Sequence, residues 1–210
     1  MTRVLLVGAT GLVGGLVLGR LVGDPRFTAI VAPVRRPIAP AAKLLAPVVD
    51  FDALPPDADW WAVDAVICAL GTTIRQAGSQ EAFRHVDHDL ALRVASMARA
   101  HGAACCVVVT AHGASASSRF FYNRVKGELE HDLAALGFPS LTFVRPGLIG
   151  GERPEPRPAE KAASLALRTL GPILPRSLRI NPADRIADAI VAAAADARPG
   201  VHVVASKALA

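Results

Sequence analysis

An α/β fold, a doubly wound parallel sheet of Rossmann type, is what this sequence predicts, and three observations predict it. Short apolar runs alternate with helix-length amphipathic stretches along the chain. The first run, Val4 to Val7, passes directly into Gly8-Ala9-Thr10-Gly11-Leu12-Val13-Gly14, a glycine turn that opens a helix. Later runs end at Gly71, Thr110 and Pro146, small, hydroxyl or breaking residues at strand ends where such sheets carry ligands. The 210 residues are read as one domain, 1–210, in which 147–200 form a small C-terminal substrate-side extension.

The elements follow in order. Val4 to Val7 is continuously apolar, as in a strand buried on both faces. Leu12 to Leu21 has helical spacing and stops at Asp24-Pro25. Thr28 to Val34 is a second, β-branched strand, followed by a loop from Pro37 to Pro40 and a short third strand at Val48-Val49. Pro55-Pro56 turns the chain into a fourth strand, Val63 to Leu70. Glu81 to His101 is one long helix with Phe83, Val86, Leu90, Val94 and Met97 on one face, closed by Gly102. Cys105 to Val109 is the fifth strand, Phe120 to Leu136 a helix stopped by Gly137 and Pro139, and Leu141 to Val144 the sixth strand. Glu152 to Pro158 is a surface loop, and Lys161 to Leu170 and Ala183 to Ala195 are helices. Asn181 is expected to cap the last of these, with Pro182 in its first turn, before a final strand at Val201 to Val204.

Composition narrows the partners. The net charge is +5, but the arginines are scattered and aromatic residues make up only 5%, too few for base stacking, so nucleic acid is not expected. A phosphorylated small molecule accounts better for the basic balance. No stretch reaches the roughly 20 apolar residues of a membrane span. The opening residues carry no secretory pattern, so a cytoplasmic protein is expected. Cys68, Cys105 and Cys106 lie in apolar runs without CxxC spacing, which reads as reduced core thiols and no metal. Oligomeric state is open, a homodimer included.

The glycine turn is the dinucleotide signal. Gly8, Gly11 and Gly14 are three apart, so the chain can turn sharply and phosphate oxygens can approach the backbone of Thr10 to Val13. Amides at the new helix start then face the pyrophosphate. The second strand ends Val34-Arg35-Arg36 without an acid. Two guanidiniums there suit a ribose 2′-phosphate, which favours NADP(H) over NAD(H). Asp50 is a candidate for the adenine amino group, and Leu70-Gly71-Thr72 offers open backbone along the cofactor.

The chain's single tyrosine, Tyr122, stands four residues before Lys126. On one helix the two share a face. A free phenol titrates near 10, and a neighbouring ammonium is expected to lower that value. Carbonyl reduction needs a hydride from one side and a proton to the oxygen, which Tyr122 can supply. Lys126 can also reach the nucleotide ribose.

Gly8-Ala9-Thr10-Gly11-Leu12-Val13-Gly14, Cys68-Ala69-Leu70-Gly71-Thr72-Thr73, Val86-Asp87, Tyr122-Asn123-Arg124-Val125-Lys126-Gly127-Glu128 and Arg145-Pro146-Gly147 together resemble the short-chain dehydrogenase/reductase superfamily. Within it the chain is similar to the atypical NAD(P)-binding group that includes the human Tat-interacting protein and bacterial epimerase-like relatives, as far as about Gly151. The resemblance implies an NADP-binding fold, Tyr122 as acid–base residue with Lys126 as partner, and Pro146-Gly147 bordering the nicotinamide. Where that family places two serines, this chain has Thr110-Ala111. Either Thr110 holds the substrate oxygen or His112 replaces the missing hydroxyl. The first functional expectation is an NADPH-dependent oxidoreductase of a small carbonyl or alcohol. The second is an NADP(H)-binding sensor with little turnover, and the third a sugar-nucleotide epimerase. A substrate pocket would be lined by Thr72 to Gly78, His112 to Arg119 and the loop after Gly150.

Overall fold

Buried apolar runs set the order of the molecule. A computed structural model describes residues 2–150 and 180–210. The first unit is β1 (Thr2–Val7), α1 (Leu12–Gly23), β2 (Phe27–Val31) and β3 (Leu44–Leu45). Then come β4 (Ala65–Cys68), α2 (Ile74–Ala77), α3 (Gln80–Arg84), a π-helical turn at His85–Asp89 and α4 (Leu90–Ala100). They are followed by β5 (Cys105–Val109), α5 (Phe121–Ala135), β6 (Ser140–Arg145) and β7 (Ile149–Gly150). The chain resumes with β8 (Asn181–Pro182), α6 (Ala183–Asp196), β9 (Gly200–Ala205) and α7 (Ser206–Leu209). The large sheet has the order β3-β2-β1-β4-β5-β6-β9, and all its pairings are parallel. The order reverses between β1 and β4, so a crevice opens there at the carboxyl ends of the strands.

Two cores flank the sheet. Val13, Val17 and Leu21 lie four apart on α1 and pack with Ile186 and Ile190 of α6 on one face. On the other face Leu90, Val94 and Ala98 of α4 pack with Leu129 and Leu133 of α5, over Val66 and Val108. Trp61 is fully buried there and donates its indole N–H to the Pro55 carbonyl at 2.7 Å. Each such large side chain removed from water contributes on the order of 1.5–3 kcal/mol.

Several expected boundaries move, each for a local reason. The second strand ends at Val31 rather than Val34, because Pro33 has no N–H for the ladder. Its partner is Leu44–Leu45, not Val48-Val49. Val48 makes only an isolated bridge to Val34, beyond the second interruption at Pro47. The long helix expected from Glu81 to His101 starts at Gln80 and is broken by the π turn, in which the Leu90 amide reaches back to the His85 carbonyl. The extra residue rotates the following face, so Asp87 and His88 are buried while Val86 is only half-buried. Asn181 is not a cap: α6 has no side-chain cap, and Asn181 faces the interior. The expected loop at 152–158 and helix at 161–170 lie outside the described residues, as does most of the expected substrate-side extension.

Candidate active site at the sheet's switch point

The turn after β1 is made by close backbone packing. Gly8 has φ +87°, and a Cβ there would stand 2.5 Å from the Ala69 carbonyl oxygen. A Cβ on Gly14 would stand 2.0 Å from the Gly8 carbonyl oxygen, so α1 can sit this close to β1 only with glycine. Gly11 is exposed and is the N-cap of α1. No side chain caps that helix, and its first turn contains no acid. Its first amides therefore remain available to an anion at the positive end of the helix dipole. Thr10 is exposed and Leu12 half-buried beside them, whereas Val13 points into the core.

Arg35 and Arg36 follow Val34 on an exposed bend. No carboxylate of the described residues pairs with either. Asp50 is also exposed, but its Oδ1 accepts the Asp52 N–H at 2.9 Å and closes a local turn. The uncapped helix start leaves open amides, and Arg35 and Arg36 leave two guanidiniums without a carboxylate partner among the described residues.

Across the switch point, Tyr122 and Lys126 lie one turn apart on α5. Tyr122 keeps 37% of its surface and rests against Phe83, with ring centroids 5.3 Å apart. Lys126 is buried, and its Nζ lies 2.7 Å from Asp87 Oδ1. The other Asp87 oxygen accepts the Thr72 N–H at 2.8 Å, which joins the Leu70-Gly71-Thr72 turn to the π turn. Burial alone would lower the Lys126 ammonium's pKa, but Asp87, Tyr122 and Cys68 together more than offset it and the net direction is up. Burial also pushes the Tyr122 phenol up; Lys126 pulls it down and Asp87 raises it. The expected net lowering by the ammonium is therefore reversed: burial outweighs it, and the Asp87 charge adds a smaller push in the same direction.

Thr110 lies at the end of β5, but its hydroxyl donates to Glu130 Oε1 at 2.6 Å. Glu130 is two turns beyond Tyr122 on the same stripe of α5 and also binds the Arg145 guanidinium through both oxygens. Thr110 is thus committed to a buried network behind the site. Ala111 is buried and His112 exposed. The His112 N–H donates to the Pro146 carbonyl at 2.7 Å, which ties the ends of β5 and β6 together. Beyond Pro146, the Gly147 N–H donates to Asn181 Oδ1 at 2.6 Å, and Ser206 donates to the same oxygen at 2.8 Å.

The structure thus brings Tyr122, Lys126, Gly71, Thr72 and Pro146 to neighbouring strand ends, and places Gly8 to Gly14 across the crevice. Glu130 and the charge of Asp87 carry no expectation from the sequence, and Asn181 carries only that of a helix cap. The spacing Tyr122, Lys126, Glu130 at four-residue steps was a usable signal for Glu130. Asp87 depends on the π turn, which no periodicity announced. Cys68, Cys105 and Cys106 are buried free thiols, and burial pushes the Cys68 thiol up to about 11. Among the described residues no helix is long and apolar enough to cross a membrane, and no cluster of His, Cys, Asp or Glu is arranged to hold a metal.

Comparison with known proteins places this architecture. The HIM1 family model matches residues 55–175. The mitochondrial protein fmp52 of Emericella nidulans is 39% identical over 183 residues, 82% of this chain and 78% of that one. The mitochondrial FMP52 of Saccharomyces cerevisiae is 35% identical over 71% of this chain and 66% of its own length. Among solved structures, MoeE5 in complex with UDP-glucose and NAD aligns over 96% of this chain and 75% of its own, with TM-score 0.72 and 18% identity. The Bordetella bronchiseptica enzyme WbmG in complex with NAD aligns over 98% and 73%, with TM-score 0.69 and 14% identity. These likenesses establish the Rossmann-type fold, which agrees with the expected superfamily resemblance at the level of architecture. The Emericella and Saccharomyces relatives are Fmp52 proteins. Their mitochondrial names overturn the cytoplasmic expectation. Compartment is a matter of targeting, and neither composition nor core pattern encodes it.

Proposed function

The chain belongs to the HIM1 family, alongside the Fmp52 proteins, and we propose that it is an NADPH-dependent oxidoreductase acting on a small carbonyl or alcohol. One observation carries the reading: the only tyrosine sits half-open on α5, one turn from a buried lysine, in a sheet whose first strand leads into an uncapped helix start. When bound, the nicotinamide would supply or accept the hydride. The chain's own residues do the rest. Gly11 and the first amides of α1 hold the pyrophosphate, and Arg35 and Arg36 hold the 2′-phosphate. Gly71, Thr72 and Pro146 border the cofactor, and Lys126 lies within reach of the ribose. The Tyr122 hydroxyl gives its proton to the carbonyl oxygen as the alcohol forms, and takes it back in the reverse direction. The Tyr122 ring packs on the fully buried Phe83, with centroids 5.3 Å apart, which anchors the phenol from the core side. The relatives' compartment, the mitochondrion, is the setting in which to look for that substrate.

A second reading, an NADP(H)-binding sensor with little turnover, is favoured by a specific observation. The Thr110 hydroxyl is taken by Glu130 and Ala111 has none, so neither residue offers a hydroxyl to a substrate oxygen. Tyr122→Phe decides between the two. Assayed on a panel of quinones, aldehydes and ketones, an enzyme should lose roughly 10²–10⁴ in turnover while NADPH binding is kept. A wild-type protein that binds NADPH but turns over no panel member, with Tyr122→Phe unchanged in every property, would leave the sensor reading.

A further inference from the structure

We propose that Asp87 is a positioning residue of this site, pinning the Lys126 ammonium to the Gly71–Thr72 turn and offsetting its charge beside Tyr122, so that the phenol enters the reaction as a proton donor. The inference rests on the reading of Tyr122 as the acid–base residue. Its basis is geometric. Asp87 and Lys126 expose 1% and 3% of their side chains and lie 2.7 Å apart, so water screens neither charge. The second Asp87 oxygen is held by the Thr72 N–H at 2.8 Å, which fixes the carboxylate from the opposite side. The π turn at His85–Asp89 aims Asp87 inward.

Other charges near Tyr122 are occupied elsewhere or lie outside. On α5 itself, Glu128 pairs with Arg84 of α3 and lies 3.9 Å from Arg124. Glu130 holds Thr110 and Arg145. From α3 the neighbour is the uncharged Phe83 ring. The loop after β5 brings Ala111, which is apolar, and His112, which is exposed. Lys126 and Asp87 are therefore the two charges that act on the phenol, with opposite sign. An unopposed ammonium would favour phenolate, the form that accepts a proton from an alcohol. Burial holds the proton on Tyr122, and the carboxylate adds to this by opposing the ammonium, which favours the direction that gives a proton to a carbonyl.

Because Tyr122 is the only tyrosine, the ultraviolet absorbance of tyrosinate reads its ionisation directly, without cofactor or substrate. The titration compares wild type, Asp87→Asn, Lys126→Met and the double variant. In Asp87→Asn the midpoint should move to lower pH by roughly one unit, the scale of a single close charge. In Lys126→Met it should move up, and in the double variant it should fall back toward wild type. The alkaline limb of carbonyl reduction should move down with the Asp87→Asn midpoint. An Asp87→Asn midpoint that stays put or rises overturns the proposal. If Asp87→Asn does not fold, the double variant must titrate below Lys126→Met, and equal midpoints overturn it. A shifted midpoint in a protein without turnover would leave this coupling standing and sink the oxidoreductase reading instead.

Discussion

Around Gly8 to Gly14 the molecule presents main chain, whereas around Tyr122 it presents side chains held by buried charge. In the first region the amides at the start of α1 lie open, and Gly8 and Gly14 are required because atoms of the same fold leave no room. The second region sets one phenol among paired groups: Asp87 with Lys126, and Glu130 with Arg145 and Thr110. A backbone site has no protonation state to adjust, so it suits a ligand of fixed charge. A site of paired charges can be tuned, which is what proton transfer demands. The difference teaches that binding and chemistry here can be perturbed separately, and four measurements would sharpen or break that separation.

The largest effect should come from the backbone side. Gly14→Ala places a methyl 2.0 Å from a main-chain oxygen that cannot move without α1, and should cost about 3 kcal/mol in denaturant unfolding, the upper end for overpacking. Gly11→Ala meets nothing closer than 3.4 Å, so stability should hold while NADPH binding weakens. Equal stability of the two variants would break the account of the turn.

Next comes Glu130→Ala. Removing one member of a fully buried ion pair costs about 3–5 kcal/mol. Arg145 keeps 32% of its side chain exposed, so ~2–3 kcal/mol is expected here. Cofactor affinity should change little. A large loss of NADPH binding would mean that the buried network also shapes the nucleotide half.

A smaller effect is expected from Arg35→Ala with Arg36→Ala. NADPH affinity should drop roughly tenfold, about 1.4 kcal/mol, with NADH affinity and melting temperature unchanged. Equal loss for both cofactors would remove the case for a 2′-phosphate contact. The smallest effect, none, is expected from reductant or mild alkylating agents on the folded protein. The three thiols are buried, and Cys68 is pushed up to about 11, so thiolate is scarce at neutral pH. Rapid labelling without unfolding would show that the core opens.

The same contrast explains what could be read from the residues alone. Main-chain devices leave glycines, and Gly8, Gly11 and Gly14 announced the turn and the helix after it. The apolar runs located the sheet, and the pairing of β2 shifted only where Pro33 and Pro47 interrupt it. Tyr122 and Lys126 were legible because four-residue spacing is a property of one helix. Their partners come from other elements: Asp87 is 39 positions before Lys126, and nothing local marks it as a counter-charge. Thr110 was placed at the right strand end, but its hydroxyl was assigned to a substrate because its acceptor, Glu130, lies two turns along another element. Asn181 looked like a cap because it precedes a helix, and only the packing of Gly147 and Ser206 shows what it binds.

The π turn makes the identity of the buried acid depend on a count of residues. Its surplus residue between α3 and α4 is the kind of change that one inserted codon introduces. Deleting a single residue within His85–Asp89 would restore an unbroken α-helix and swing the preceding segment by about 100°, one residue's rotation. Asp87 would then no longer face Lys126, although Tyr122 and Lys126 would be untouched. A lineage carrying such a deletion could keep both hallmark residues and yet run its tyrosine with the opposite acid–base bias, so length variation at this point, more than substitution at Tyr122, is where related chains would divide into proton donors and proton acceptors.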